Sequence, residues 1–154
     1  MTVKATEKKP WIVVVGGFLG AGKTTLILAA ARELARLGKR CTVIMNDQGS
    51  ELVDTRLADL NGLQSGEVTG GCFCCKLSDL VDVAEKLRFF SPDVIFAEPV
   101  GSCTDLLATV LRPLQEHGHK YKITPFTVLV DPARADSLLR READPTLVFF
   151  FESR

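Results

Sequence analysis

The sequence predicts an α/β fold: a mostly parallel sheet between two layers of helices, a three-layer αβα sandwich. Three observations lead to it. Apolar runs of strand length at residues 11–15, 41–45, 93–97 and 123–130 alternate with runs of helical periodicity. The first run, Trp11-Ile12-Val13-Val14-Val15, is apolar throughout, as in a strand covered on both faces. A glycine-rich turn then joins that strand to the first helix.

That turn reads Gly17-Phe18-Leu19-Gly20-Ala21-Gly22-Lys23-Thr24 and fits the phosphate-binding pattern G-x-x-x-x-G-K-[ST] in its required strand–turn–helix setting. Gly17, Gly20 and Gly22 allow backbone angles that a Cβ would forbid, so that main-chain N–H groups can turn inward. With the helix N-terminus they form a concave positive site suited to a polyphosphate. Lys23 supplies a point charge for the β- and γ-phosphates, and the Thr24 hydroxyl is placed to ligate Mg²⁺. The predicted nucleotide-contacting set is Gly17, Gly20, Ala21, Gly22, Lys23, Thr24 and Thr25, and the ligand class is a nucleoside triphosphate with Mg²⁺. The bland alternative is a glycine-rich turn with an incidental lysine.

The first helix is expected over residues 22–37, stopped by Gly38, with Arg36, Lys39 and Arg40 at its negative end. Strand two, residues 41–45, ends at the polar turn Asn46-Asp47-Gln48-Gly49. Residues 50–71 are weakly patterned, with a short helix at 51–60 and a long loop after it; such loops are usually functional or mobile. The loop leads into Cys72-Phe73-Cys74-Cys75, followed by a helix over 78–90 with Leu80, Val83, Ala84 and Leu87 on one face. Strand three, 93–97, ends at Glu98-Pro99-Val100-Gly101. A helix over 104–116 is interrupted near Pro113. Strand four is 123–130, a short helix runs 131–139, and a fifth strand is expected at 146–151.

The chain has 154 residues, enough for one domain with a real core. Residues 1–10 read as a charged leader without the apolar core of a signal peptide, and 11–154 as the domain. Nineteen basic residues balance 19 acidic ones, so bulk charge argues for neither nucleic acid nor a membrane surface as partner. No apolar run nears the ~20 residues of a membrane span. A cytoplasmic protein is expected, and there clustered cysteines suggest metal or redox chemistry before disulfides.

Three carboxyl-end turns converge in such a sheet, where ligands of open α/β folds bind. Phosphoryl transfer needs Mg²⁺ held by the loop hydroxyl and a carboxylate from a neighbouring strand. Glu98 is the best-placed acid; Asp93, at the start of its strand, is a weaker rival. Asp47 is expected to orient the attacking water or reach the metal, and Gly101 to offer its N–H to the γ-phosphate. The predicted catalytic set is therefore Lys23, Asp47 and Glu98. Loop-end caps are the alternative for both acids.

Cys72, Cys74 and Cys75 cannot all face one side of a strand, but a tight turn after Gly70 and Gly71 brings them together. Soft thiolates select Zn²⁺, Cu⁺ and related ions. Three ligands leave a fourth position for water, a carboxylate or a partner's ligand, which suits delivery. Reduced buried cysteines or a redox pair are the alternatives. Cys41 reads as core and Cys103 as ambiguous. His117-Gly118-His119 reads as a surface helix end rather than a ligand pair, and Phe149-Phe150-Phe151 as a buried strand.

Gly16 to Thr25, Asn46-Asp47-Gln48-Gly49, Gly70-Gly71-Cys72-Phe73-Cys74-Cys75 and Glu98-Pro99-Val100-Gly101 together resemble the CobW-like proteins, in their order and spacing over about residues 11–130. These stand with HypB and UreG among the SIMIBI-class P-loop NTPases and serve as metallochaperones and metal-insertion factors. The resemblance implies GTP as nucleotide, Mg²⁺ on Thr24 and Glu98, a transition metal such as Zn²⁺ on Cys72, Cys74 and Cys75, slow GTPase activity and a client metalloprotein; it leaves room for a homodimer. It also implies that Glu98 and Gly101 stand in the Walker B and switch II positions. The chain departs from the family in two places. Asn-Glu-Phe-Gly-Glu is replaced by Asn46-Asp47-Gln48-Gly49-Ser50, and the guanine-reading [NT]-K-x-D is absent, no lysine following Lys122. The chain is thus expected to be the N-terminal part of a longer protein. A small-molecule kinase and a metal-binding module without hydrolysis are the competing functions.

Overall fold

In a computed structural model, residues 9–47, 62–103, 105–116, 120–132, 135–136 and 140 are described. In chain order the elements are β1 (Trp11–Gly17), α1 (Lys23–Arg36), β2 (Cys41–Asp47), β3 (Gln64–Thr69), α2 (Leu77–Arg88) and β4 (Val94–Glu98). A π-helical turn (Leu107–Leu111) then runs into α3 (Arg112–Glu116), followed by β5 (Lys122–Ile123) and β6 (Thr127–Leu129). The sheet order is β3-β2-β4-β1-β5, with β6 continuing along β1 beyond β5. All of these pairings are parallel. The mostly parallel α/β sheet expected from the sequence is therefore what forms.

Alternation along β1 explains the layers. Ile12 and Val14 face one core with Ile44, Val68, Ile95 and Ala97, covered by Leu80, Ala84 and Leu87 of α2 and by Val110, Leu111 and Leu114 beyond β4. Val13 and Val15 face the other, with Val43, Met45 and Phe96 under Ile27 and Ala31 of α1. Strands buried on both faces need apolar residues at every position, which is why β1 carries no polar alternation.

Two elements differ from the sequence reading. Residues 64–69 form β3, where a loop was expected. Its Gln64, Ser65, Glu67 and Thr69 give no apolar alternation, and only Val68 is buried. Among the described residues it is an edge strand, paired to β2 alone. Gly66 within it marks the close approach of α2: a Cβ there would run into Val83. The expected fourth strand is split. Ile12 pairs with Ile123 and Val15 with Thr127, so three steps along β1 match four along the partner. The extra residue is absorbed at Thr124-Pro125-Phe126, a bulge that Pro125 favours because it cannot donate to the ladder. The interruption expected at Pro113 takes the form of the π-helical turn immediately before it. The helices expected at 51–60 and over most of 131–139, the strand at 146–151, and His117 to His119 lie outside the described residues.

Candidate functional site

β1 and β4 are neighbours, and their connections leave in opposite directions. β1 passes through α1 to β2, while β4 passes through the π-helical turn and α3, on the opposite face, to β5. The carboxyl ends of β1 and β4 thus flank a topological switch point, the crevice where open α/β sheets bind ligands.

The glycine-rich turn lies at the end of β1. Gly17, Gly20 and Gly22 all have positive φ (142°, 79° and 89°), the conformations for which the sequence reserves glycine. Gly22 stands immediately before α1, whose first turn holds no acidic residue to compete for an anion. Lys23 is buried, and its Nζ donates to the Phe18 carbonyl at 3.2 Å, folding the side chain back across the turn. From β4, the buried Glu98 reaches the same place. Its two carboxylate oxygens each lie 3.0 Å from the Thr24 hydroxyl, and Oε1 lies 3.9 Å from Lys23 Nζ. Gly101 packs against the turn from the other side: a Cβ on it would lie 2.6 Å from the Leu19 backbone nitrogen. A hydroxyl and a carboxylate at one point form a hard oxygen donor set, which fits Mg²⁺. Asp93, the rival acid, sits at the opposite end of β4, where its Oδ2 accepts from the Arg40 backbone N–H at 2.9 Å. Its role there is to bind the turn entering β2.

The cysteines occupy the turn between β3 and α2. Gly70, at φ 72°, reverses the chain, and the Cys72 carbonyl accepts from the N–H groups of Cys75 and Lys76 at 3.0 and 2.9 Å. Phe73 is fully buried and anchors the turn in the core. Asn46, at the end of β2, holds the turn from beneath. Its Nδ2 donates to the Val68 and Gly71 carbonyls at 2.9 and 2.7 Å, and its Oδ1 accepts from Phe73 N–H at 3.0 Å. Cys72 Sγ lies 2.6 Å from Cys74 Sγ and 3.4 Å from Cys75 Sγ, with all three thiols free. Cys103 arrives from beyond β4, and its Sγ lies within 4.8 Å of those of Cys72 and Cys74.

The electrostatics of this cluster centre on Cys72. Burial opposes its ionisation, but hydrogen bonds from the Cys74 and Cys75 thiols, the Cys75 backbone and the Cys103 thiol outweigh it and bring its pKa to about 7. Burial, then interaction with Cys72, pushes Cys74 up to about 11 and Cys103 up to about 12. Of the three shifted thiols, Cys72 is therefore the one that ionises most readily, with neighbouring thiols as hydrogen-bond donors to its thiolate. Cys41 stands apart; burial and the Asp93 charge push its pKa up to about 11, consistent with a core residue.

Of the residues the sequence singles out, Lys23, Thr24, Glu98 and Gly101 come together with Gly17, Gly20, Ala21 and Gly22 around the turn, while Thr25 points outward, exposed. Asp47 pairs with Thr69 at the end of β2; its side chain lies outside the described residues. Cys72, Cys74 and Cys75 do share one turn. Two residues gain importance from the structure. Asn46 was visible only as part of a polar turn, and Cys103 only as a cysteine two residues past Gly101.

Residues 11–148 match the family described as CobW/HypB/UreG, nucleotide-binding domain. The chain is 29% identical over 140 residues to the zinc chaperone YjiA of Escherichia coli K12, covering 84% of this chain and 43% of that protein. It is 35% identical over 146 residues to the zinc-regulated GTPase metalloprotein activator 1 of Schizosaccharomyces pombe, covering 86% and 34%. The chain therefore spans less than half the length of either relative. Its fold is similar to that of the signal recognition particle receptor FtsY from Elizabethkingia anophelis, with a TM-score of 0.63 at 17% identity over 88% of this chain and 46% of that one. Among the described residues no helix is long and apolar enough to cross a membrane.

Proposed function

Since the chain belongs to the CobW/HypB/UreG family of nucleotide-binding domains, we propose that it binds GTP with Mg²⁺ and couples the nucleotide's state to the holding and delivery of zinc. One observation carries the reading. The phosphate-binding turn and the cysteine turn sit at carboxyl ends of strands in one sheet, with only β2 and β4 between β1 and β3. A rearrangement at one turn is therefore available to the other through two strand ends.

Each residue has a role in this reading. The backbone of residues 17–25 cradles the phosphates, and Lys23 leaves the Phe18 carbonyl for the β- and γ-phosphates. Thr24 and Glu98 hold Mg²⁺, which supplies charge neutralisation on the phosphates when bound. Gly101 donates its N–H toward the γ-phosphate, and Asp47 orients the attacking water. Cys72, Cys74 and Cys75 hold the zinc, a cargo suited to their soft sulfur donors. Hydrolysis releases the loop contacts, and a client metalloprotein receives the metal; a homodimer is compatible with the arrangement. The relatives' names, a zinc chaperone and a zinc-regulated GTPase metalloprotein activator, support this reading.

The test is calorimetric titration of wild type and Lys23→Ala with GTP, followed by zinc titration of each with and without nucleotide. Wild type should bind GTP more tightly with Mg²⁺ present than with it chelated, Lys23→Ala should not bind it, and GTP should tighten zinc binding in wild type alone, as linkage requires. Equal GTP affinity in the two folded proteins rejects the phosphate site; zinc binding indifferent to nucleotide rejects the coupling.

A further inference from the structure

We propose that Cys103 is a ligand of the metal, a fourth thiolate that ties the cysteine turn to the segment following β4. The inference rests on the metal site proposed above and extends it by one residue and one mechanical consequence.

Cys103 comes from a different part of the chain, yet its Sγ shares a sphere of 4.8 Å with those of Cys72 and Cys74. A tetrahedral zinc–thiolate site has Zn–S near 2.3 Å, which places its sulfurs about 3.8 Å apart. The three therefore need only side-chain rotation, chiefly a parting of Cys72 and Cys74, to become three corners of one tetrahedron. Cys75 stands differently. It is exposed, with its sulfur 3.4 Å from that of Cys72, and it is not among the three whose sulfurs all lie within 4.8 Å of one another. Cys72, Cys74 and Cys103 are thus the inner corners and Cys75 the outer one, the ligand a recipient would meet first. A buried cysteine that acts only as a small hydrophobe meets carbon. The Cys103 sulfur, though its residue packs in the core, also lies within 4.8 Å of two other thiols.

The consequence lies in what else the segment touches. Glu98 contacts Thr24 and Lys23, Gly101 presses on the Phe18–Leu19 backbone, and a turn closed by Cys103 N–H on the Val100 carbonyl at 3.1 Å leads to Cys103. One strap of six residues, 98–103, joins the phosphate turn to the cysteines. Metal on Cys103 fixes one end of the strap and a triphosphate fixes the other, so each ligand reduces the freedom the other must remove.

The test uses the 154-residue chain under reducing conditions, loaded with zinc and examined by X-ray absorption. Cys75→Ser alters an exposed residue and should fold; its zinc should keep three sulfur neighbours, whereas two would overturn the assignment. Cys103→Ser should weaken zinc by at least about tenfold and remove the effect of GTP on zinc affinity, with GTP binding itself retained as evidence of folding. A folded Cys103→Ser variant with wild-type zinc affinity would equally overturn it. Should that variant fail to fold, the sulfur count in Cys75→Ser decides alone. Identical zinc binding by wild type and a Cys72→Ser/Cys74→Ser double variant would instead reject the underlying metal site, and this assignment with it.

Discussion

Thr24 and Glu98, 74 residues apart in the chain, meet at the mouth of the crevice, with the hydroxyl 3.0 Å from each carboxylate oxygen. The contact joins the first turn of α1 to the end of β4 and places both Mg²⁺ donors of the proposed site at one point. Glu98→Gln keeps the shape and the hydrogen-bond acceptor but removes the charge. Its GTP affinity in Mg²⁺ should fall roughly tenfold to a hundredfold, about 1.4–2.8 kcal/mol, with little change when Mg²⁺ is chelated. Calorimetry under both conditions measures this, and an unchanged Mg²⁺ dependence counts against Glu98 as a metal-holding residue.

Gly101 is held to glycine by contact rather than by φ. An alanine methyl would stand 2.6 Å from the Leu19 backbone nitrogen and 3.1 Å from the Phe18 carbonyl carbon, and backbone yields less readily than a side chain. Gly101→Ala should lower stability by about 1–3 kcal/mol and weaken GTP binding together with it. Chemical denaturation and GTP titration test the pair of effects; a variant as stable as wild type would mean that the segment and the turn separate easily.

Asn46 acts on the cysteines through three hydrogen bonds to the turn that carries them. Asn46→Ala leaves the Phe73 N–H and two carbonyls without that partner, at about 1–3 kcal/mol. Supporting residues of a metal site typically influence affinity by about 10–100-fold, so zinc should weaken by that order while GTP binding stays within about threefold. Loss of both affinities alike would indicate general unfolding instead of a positioning role.

Glu85 on α2 and Tyr121 ahead of β5 form a pH-sensitive tie. Burial opposes ionisation of Glu85, but hydrogen bonds from the Tyr121 hydroxyl at 2.6 Å and from Lys120, with the charge of Arg88, outweigh it and hold the pKa below the usual range. A depressed carboxylate contributes stability above its unfolded pKa, near 4.3, and loses it as pH falls through the lower folded value. Tyr121→Phe should therefore cost about 1–2 kcal/mol at neutral pH, and the difference from wild type should shrink below about pH 4. Urea unfolding across that range would detect it; a pH-independent difference would assign the loss to packing.

Most of the fold and the phosphate turn were legible because they depend on local chemistry. Glycines at positive φ, an apolar strand before them and a helix after them are written consecutively at 11–36. Glu98 was legible for a related reason: it is an acid at the carboxyl end of a buried strand. β3 was not, because an edge strand solvated on one side and crossed closely by α2 at Gly66 has neither alternation nor β-branched residues enough to announce itself. Asn46 and Cys103 were obscure because their partners lie 22–27 residues away and on another segment, respectively. Such contacts are made by the strand order, which no spacing along the chain reveals.

The position of β3 at the sheet's edge bears on how a held metal would leave. Among the described residues β3 is hydrogen-bonded on one side only, buries a single residue of its six, and passes directly into the cysteine turn. Such a unit opens at a smaller free energy than the central strands, by local fluctuation rather than global unfolding. With zinc on the four cysteines as proposed, opening of β3 would loosen the cysteine turn from Cys103 while β1 and β4 stay folded.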